Sequence, residues 1–203
     1  MKLYLTPLSH FARKVRIVAE FYNLNLEYID VGTVTEIGIE KYAGNPLMGV
    51  PVLADLDSWL IESDNIISYL IDKNDPTDTL KFKKMDFESL NMRAVLNGLM
   101  STEVKIIQGT RSGIAIGEYT YFKKAKASME ATLNWIEQRA NRFDVGQLNF
   151  ESIHLVCAIE HIQYFQTMDI DRYQKIKRIV QEVGDNTIVK RSNPFVLKPI
   201  NRN

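Results

Sequence analysis

Among 203 residues there is one cysteine, Cys157. Neither an intrachain disulfide nor a multi-cysteine metal cage can form from it. Net charge is also missing, because 25 Lys and Arg face 25 Asp and Glu. A protein built to coat nucleic acid is normally strongly basic, so the neutral total argues against that class. It gives no general drive toward an anionic membrane either. No window approaches roughly 18 uninterrupted apolar residues, so a membrane span is not expected. The first residues, Met1-Lys2-Leu3-Tyr4-Leu5-Thr6-Pro7, lack the apolar core of a signal peptide, and the expected location is the cytoplasm. What remains is an ordinary globular composition, 45% hydrophobic and 25% charged, able to bury about 70% of its unfolded surface.

The zero total hides a split. Residues 1–80 carry 6 Lys and Arg against 12 Asp and Glu, a net of −6, whereas residues 81–203 carry 19 against 13, a net of +6. This asymmetry predicts two separate bodies of opposite charge.

Residues 2–6 alternate and stop at Pro7, a strand pattern. Phe11, Val15, Val18 and Phe21 recur at helical spacing, and Leu26–Val31 alternates again. Strand, helix, strand within about 30 residues is a βαβ unit with a right-handed crossover. Turn signals at Asn45-Pro46 and Met48-Gly49 precede a strand at Val50-Pro51-Val52-Leu53, and Asp55-Leu56-Asp57 turns it into Trp59-Leu60-Ile61. Ile66, Ile67, Leu70 and Ile71 then mark a helical face. The expected organisation is a βαβ-ββα domain over 1–74, a polar linker over 75–81 and an all-helical domain over 82–203. Helices are expected at 82–108, 119–142, 150–166 and 171–184. Gly109, Gly113 and Gly117 lack the Gly-Lys-Ser/Thr ending of a phosphate loop and read as a flexible connector.

Ser9 stands between the first strand and the first helix. Its simplest role is an N-cap, with Ala12 at N3, so no Glu or Gln completes a capping box. The alternative is that its hydroxyl donates to an anion held at the helix N-terminus, where backbone N–H groups favour negative charge.

Three blocks make the second role specific. They are Ser9 with Arg13-Lys14-Val15-Arg16, then Asn45-Pro46-Leu47-Met48-Gly49-Val50-Pro51-Val52-Leu53, then Ile61-Glu62-Ser63-Asp64-Asn65-Ile66-Ile67-Ser68-Tyr69-Leu70. In order and spacing, ahead of a helical second half, they resemble the glutathione transferase family, and in layout its bacterial cytosolic members with a serine active site. The resemblance implies a thioredoxin-like first domain with a cis bond at Val50–Pro51, whose Val50 backbone pairs with the cysteinyl backbone of glutathione. It implies that Glu62 and Ser63 hold the γ-glutamyl end and that Ser9 stabilises the thiolate. His10 either contacts glutathione or faces solvent. An acceptor site near Leu8, Met100, Glu103, Val104 and Ile107 is implied as well. The implied chemistry is conjugation of glutathione, as co-substrate and with no cofactor or metal, to small, mostly apolar electrophiles, with a peroxidase reaction as a further option. The implied assembly is a homodimer, without nucleic-acid or membrane partners.

Some residues depart from the family pattern. His10 stands where Pro often follows the serine, and the lysine that often precedes Val-Pro is absent, with Lys41 or His10 as weak substitutes. That loss favours the alternative function, a non-catalytic binding or regulatory protein of the same fold, similar to the starvation-protein relatives. The basic trio Arg13, Lys14 and Arg16 would offset the repulsion of anionic glutathione by an acidic domain. Asn149 and Ser152 replace the usual capping pair of a later helix, predicting a cap with a weaker reciprocal bond. On that helix His154, Cys157 and His161 share a face, but Leu155, Ala158, Ile159 and Ile162 make it an ordinary core helix. Tyr4 lies mid-strand, too early to rival Ser9. Lys123-Lys124-Ala125-Lys126 reads as a solvated helix face.

Overall fold

The computed structural model describes residues 1–35, 37–84 and 86–197. Its first half contains β1 (Lys2–Leu5), α1 (His10–Phe21), β2 (Glu27–Asp30), β3 (Val52–Asp55), β4 (Ser58–Ile61) and α2 (Ser63–Asn74), with a 3-10 turn at Ile39–Tyr42. The sheet order is β2-β1-β3-β4. β1 and β2 are parallel, and β3 is antiparallel to both of its neighbours. The βαβ-ββα order predicted from periodicity is the order observed, and it defines a thioredoxin-like domain. Alternation explains β1, where Leu3 and Leu5 are buried and Lys2 is exposed. Spacing explains α1, whose Ala12, Val15, Val18 and Ala19 are all fully buried. Ile66, Ile67, Leu70 and Ile71 bury one face of α2, which packs against α1 and the adjoining strands.

The second half contains α3 (Phe87–Arg111), α4 (Thr120–Gln138), α5 (Phe150–Phe165) and α6 (Gln174–Gly184), followed by the short helices α7 (Thr187–Arg191) and α8 (Pro194–Leu197). α5 is buried on every side from Ser152 to Ile162, so it is the central helix of its body, contacting α3 and α6. His154 and Cys157 lie in that core. Asn149 accepts from the Ser152 N–H at 3.1 Å, while the reciprocal bond from the Asn149 N–H to Ser152 Oγ is 3.4 Å. The predicted cap forms, with its weaker return bond.

By its contacts the chain separates into two compact units, residues 1–83 with 187–203, and residues 84–186. The helical body is therefore shorter than the 82–203 expected, and 198–203 lie outside the described residues. The reason lies in α1. Arg13 Nε donates to Ser192 Oγ and its Nη2 to the Val189 carbonyl, both at 3.2 Å, and Arg191 pairs with Glu20. These bonds tie α7 and the residues after it to the first unit. Recounted over the two units, the charge split disappears. The first holds 12 bases and 12 acids, the second 13 and 13.

Two boundaries also differ from expectation. The helix expected from 82 begins at Phe87, because the Asp78 carboxylate accepts the N–H groups of Phe82 and Lys83 and Asp86 caps the helix. Gly109 is no connector but lies inside α3. A Cβ there would stand 2.8 Å from Phe122 Cζ, so this glycine lets α3 and the start of α4 approach closely.

Candidate functional site

Strand register gathers the three sequence blocks at one end of the sheet. Tyr4 of β1 pairs with Val52 of β3, and Val52 pairs with Ile61 of β4. The exit from β1 toward Ser9, the entry to β3 through Val50–Pro51 and the exit from β4 through Glu62 therefore share that end. Residues far apart in the chain become neighbours through hydrogen-bond register alone.

Ser9 is the N-cap of α1, and its Oγ accepts from the Ala12 N–H at 3.2 Å. Its own N–H donates to the Thr6 carbonyl at 3.0 Å, which fixes the turn out of β1. Capping uses an oxygen lone pair, so the hydroxyl proton stays available for donation. The cap and the donor, weighed as rivals in the sequence, are compatible. His10 opens α1 and is buried, with its ring 4.7 Å from that of Phe11. A solvent-facing His10 is thereby corrected: it starts a helix whose first turn is packed, not free.

The Val50–Pro51 bond is cis, and Pro51 is buried beside a half-buried Val50. The loop before it is braced by Asn45, a residue the sequence marked only as a turn. Its Oδ1 accepts from the Leu47 N–H at 2.9 Å, and its Nδ2 donates to the Gly49 carbonyl at 3.0 Å. Met48, inside this brace, has φ +48°, a left-handed conformation unusual without glycine. The Asx signal at Asn45-Pro46 was legible, but the second bond closing the loop was not.

At the third segment Glu62, not Ser63, is the residue preceding the helix. Glu62 has φ +68° and makes no side-chain cap, and buried Ser63 is the first residue of α2. Ser63 is therefore not the N-cap of α2. Its hydroxyl and N–H sit in the first turn, where the unpaired N–H groups of a helix lie. Glu62 keeps an exposed carboxylate.

The basic trio is spent on structure. Lys14 is fully buried and its Nζ lies 2.8 Å from Asp64 Oδ1, joining α1 to α2. Arg13 is bound to Ser192 and Val189, and Arg16 stacks over Tyr28 at 5.4 Å. Burial raises the Tyr28 hydroxyl's pKa, and the Arg16 charge opposes that rise. The trio offers no free positive cluster to an anion, which corrects the role expected for it. Lys41 reaches the Thr33 carbonyl at 3.4 Å.

In the helical unit, Met100, Glu103, Val104 and Ile107 share one face of α3, as their spacing requires. Met100 and Ile107 are buried and Val104 is half-buried; Leu8, in the other unit, is half-buried too. Glu103 is fully buried. Its Oε2 lies 2.8 Å from His161 Nδ1, and its Oε1 accepts from Thr167 Oγ1 at 2.9 Å. This carboxylate is held by partners within its own unit, joining α3 to α5.

A thioredoxin-like domain whose serine caps the first helix, joined to a helical unit, defines a class of fold shared by many proteins. Residues 3–78 match the model of the glutathione S-transferase N-terminal domain. That match places a glutathione S-transferase N-terminal domain over residues 3–78. No curated protein sequence matches the chain. Solved structures extend the likeness of fold over both units. A glutathione S-transferase from Methylobacterium radiotolerans in complex with glutathione sulfonate has a TM-score of 0.80 at 18% identity, over 100% of this chain and 98% of that one. A glutathione S-transferase from Methylobacillus flagellatus with glutathione bound has a TM-score of 0.79 at 20% identity, over 95% and 98%. A maleylacetoacetate isomerase from Methylobacterium extorquens with malonate and glutathione has a TM-score of 0.70 at 19% identity, over 97% of each chain.

Proposed function

We propose that this protein is a serine-type glutathione transferase of the cytoplasm, joining the glutathione thiolate to small, mostly apolar electrophiles. The observation that carries the reading is the common sheet end at which Ser9, Val50–Pro51 and Glu62–Ser63 emerge. In this reading the Val50 backbone pairs with the cysteinyl residue, Ser63 and the start of α2 hold the γ-glutamyl carboxylate, and Glu62 attracts its ammonium. His10 opens α1 next to the thiol. Half-buried Val104 supplies apolar surface for the acceptor, with buried Met100 and Ile107 on the same helix face behind it.

A free thiol with a pKa near 8.5 is only a few per cent thiolate at pH 7. The Ser9 hydroxyl donates to the sulfur while its oxygen keeps the Ala12 bond, and the α1 N-terminus adds positive potential. Lowering that pKa by two units needs about 2.7 kcal/mol, within reach of a charge-assisted bond and a helix terminus. The gain is limited to about 30-fold because the thiolate fraction cannot exceed one. The thiolate then forms the carbon–sulfur bond as the acceptor's leaving group departs, or is oxidised by a peroxide in a second reaction.

Ser9→Ala tests the role. Turnover with an electrophilic acceptor is expected to fall by about 10- to 30-fold at pH 7, with the activity limb moved to higher pH. An unchanged pH–rate profile removes Ser9 from the mechanism. Binding of glutathione without turnover by the wild type indicates the non-catalytic reading instead.

A further inference from the structure

We infer that the turn joining α3 to α4 docks on an anionic phospholipid surface. Every residue from Thr110 to Tyr121 except Ile116 is exposed, so this turn stands clear of its own body. α4 buries Met129, Leu133 and Ile136, all at or beyond its midpoint, and leaves its first turns largely uncovered. Three large side chains lie open there: Ile114 at 40%, Tyr119 at 55% and Tyr121 at 58% exposure. Between residues 110 and 128 stand Arg111, Lys123, Lys124 and Lys126 against Glu118 alone, a net of +3 in a protein whose total is zero.

These lysines differ from half of the others in the protein. Lys2, Lys14, Lys73, Lys83, Lys84 and Lys177 each face a carboxylate within 4 Å. Lys123, Lys124 and Lys126 make no ion pair among the described residues. α4 has no acidic residue in its first turn, so the positive helix end and the lysines beyond it go unbalanced. Electrostatics alone would suit any polyanion. The tyrosines and Ile114 favour a bilayer: aromatic rings settle at the headgroup boundary, while lysine stems lie along it and leave their ammonium groups at the phosphates. An exposed turn meets a flat surface, whereas nucleic-acid strands are usually tracked along a groove. Among the described residues no helix is long and apolar enough to cross a membrane; the attachment inferred is peripheral and reversible.

Sedimentation of the full chain with lipid vesicles tests this. The protein is expected to bind vesicles containing about one third phosphatidylglycerol and to leave phosphatidylcholine vesicles in solution. Each lysine near the surface contributes about fivefold in partitioning. Combined Lys123→Glu, Lys124→Glu and Lys126→Glu should therefore lower binding at least 100-fold, and about 0.5 M salt should release the wild type. Tyr119→Ser with Tyr121→Ser should weaken binding with all lysines intact, while a circular dichroism spectrum unchanged from wild type shows that each variant is folded. Equal affinity for neutral and anionic vesicles, or no binding to either, overturns the inference. So does a triple variant that binds like wild type, or tighter capture by a single-stranded oligonucleotide than by the anionic vesicles.

Discussion

Asn45 does at the residue scale what a longer turn would otherwise need several residues to do. One side chain closes the loop on both sides of Met48, donating to Gly49 and accepting from Leu47. It is only 2% exposed, so its loss leaves partners that water does not readily replace. At about 1 kcal/mol for each bond, Asn45→Ala should destabilise the protein by about 1–2 kcal/mol. Because this loop delivers Val50, the KM for glutathione should rise about five- to tenfold with a smaller change in kcat. Thermal denaturation and steady-state kinetics check both parts, and a stability loss with KM unmoved would confine Asn45 to a structural role. Ser9 was legible because its signal is local: a hydroxyl residue between a strand pattern and a helix pattern. The Lys14–Asp64 pair was not, since its partners stand 50 residues apart and lysine on an amphipathic helix ordinarily reads as solvated. Only tertiary packing, against Asp64 for Lys14, Val189 and Ser192 for Arg13 and Tyr28 for Arg16, turns three bases from an expected anion site into internal ties.

Among elements, strand and helix identity followed from periodicity, and the boundaries followed from caps that short motifs signalled unevenly. α3 shows how. Asp86 accepts from the Ser89 N–H and from its hydroxyl, both at 3.0 Å, and these bonds start the helix later than its apolar pattern suggests. Chiefly because of the Ser89 N–H, with the Ser89 hydroxyl and Lys84 assisting, the Asp86 carboxyl titrates at about 2. Its folded value lies below the unfolded value of about 3.9, so its contribution is complete above about pH 4 and is lost as pH falls through about 2. Asp86→Asn keeps a capping oxygen and removes the charge. Wild type is expected to melt at a higher temperature than Asp86→Asn at pH 6, with the gap closing between pH 4 and pH 2. A gap that persists at about pH 2 would place the effect in shape, not in ionisation. The subtraction matters because Asp55, Asp72 and Asp75 are also held below the usual carboxylate range by their own hydrogen bonds. Both proteins lose those contributions in parallel. Gly109 illustrates the opposite limit of legibility. A glycine four residues from another glycine resembles a connector, and only the lack of room for a Cβ, which would stand 2.8 Å from Phe122 Cζ, explains it within a helix.

Charge has to be counted over the right bodies to predict how the whole molecule associates. Cut at residue 80, the sequence reads −6 and +6, which would let two copies attract through opposite units and part in salt. Counted over the compact units, each is neutral, because Lys81, Lys83 and the bases after Thr187 belong with the first. Long-range attraction between units of two copies is therefore absent, and the first unit offers apolar surface instead, with Ile37, Leu47 and Leu56 each at least two-thirds exposed. We expect sedimentation equilibrium to give a homodimer held by apolar burial, whose association changes less than about threefold between about 0.1 M and about 1 M salt, although the Debye length shrinks from about 10 Å to about 3 Å. Steep weakening with salt would restore the charge-driven interface, and a monomer throughout would remove the homodimer that the family resemblance implies. Over the same salt range, binding to anionic vesicles should collapse. The two associations respond oppositely because one rests on neutral bodies and the other on a net of +3 confined to residues 110–128.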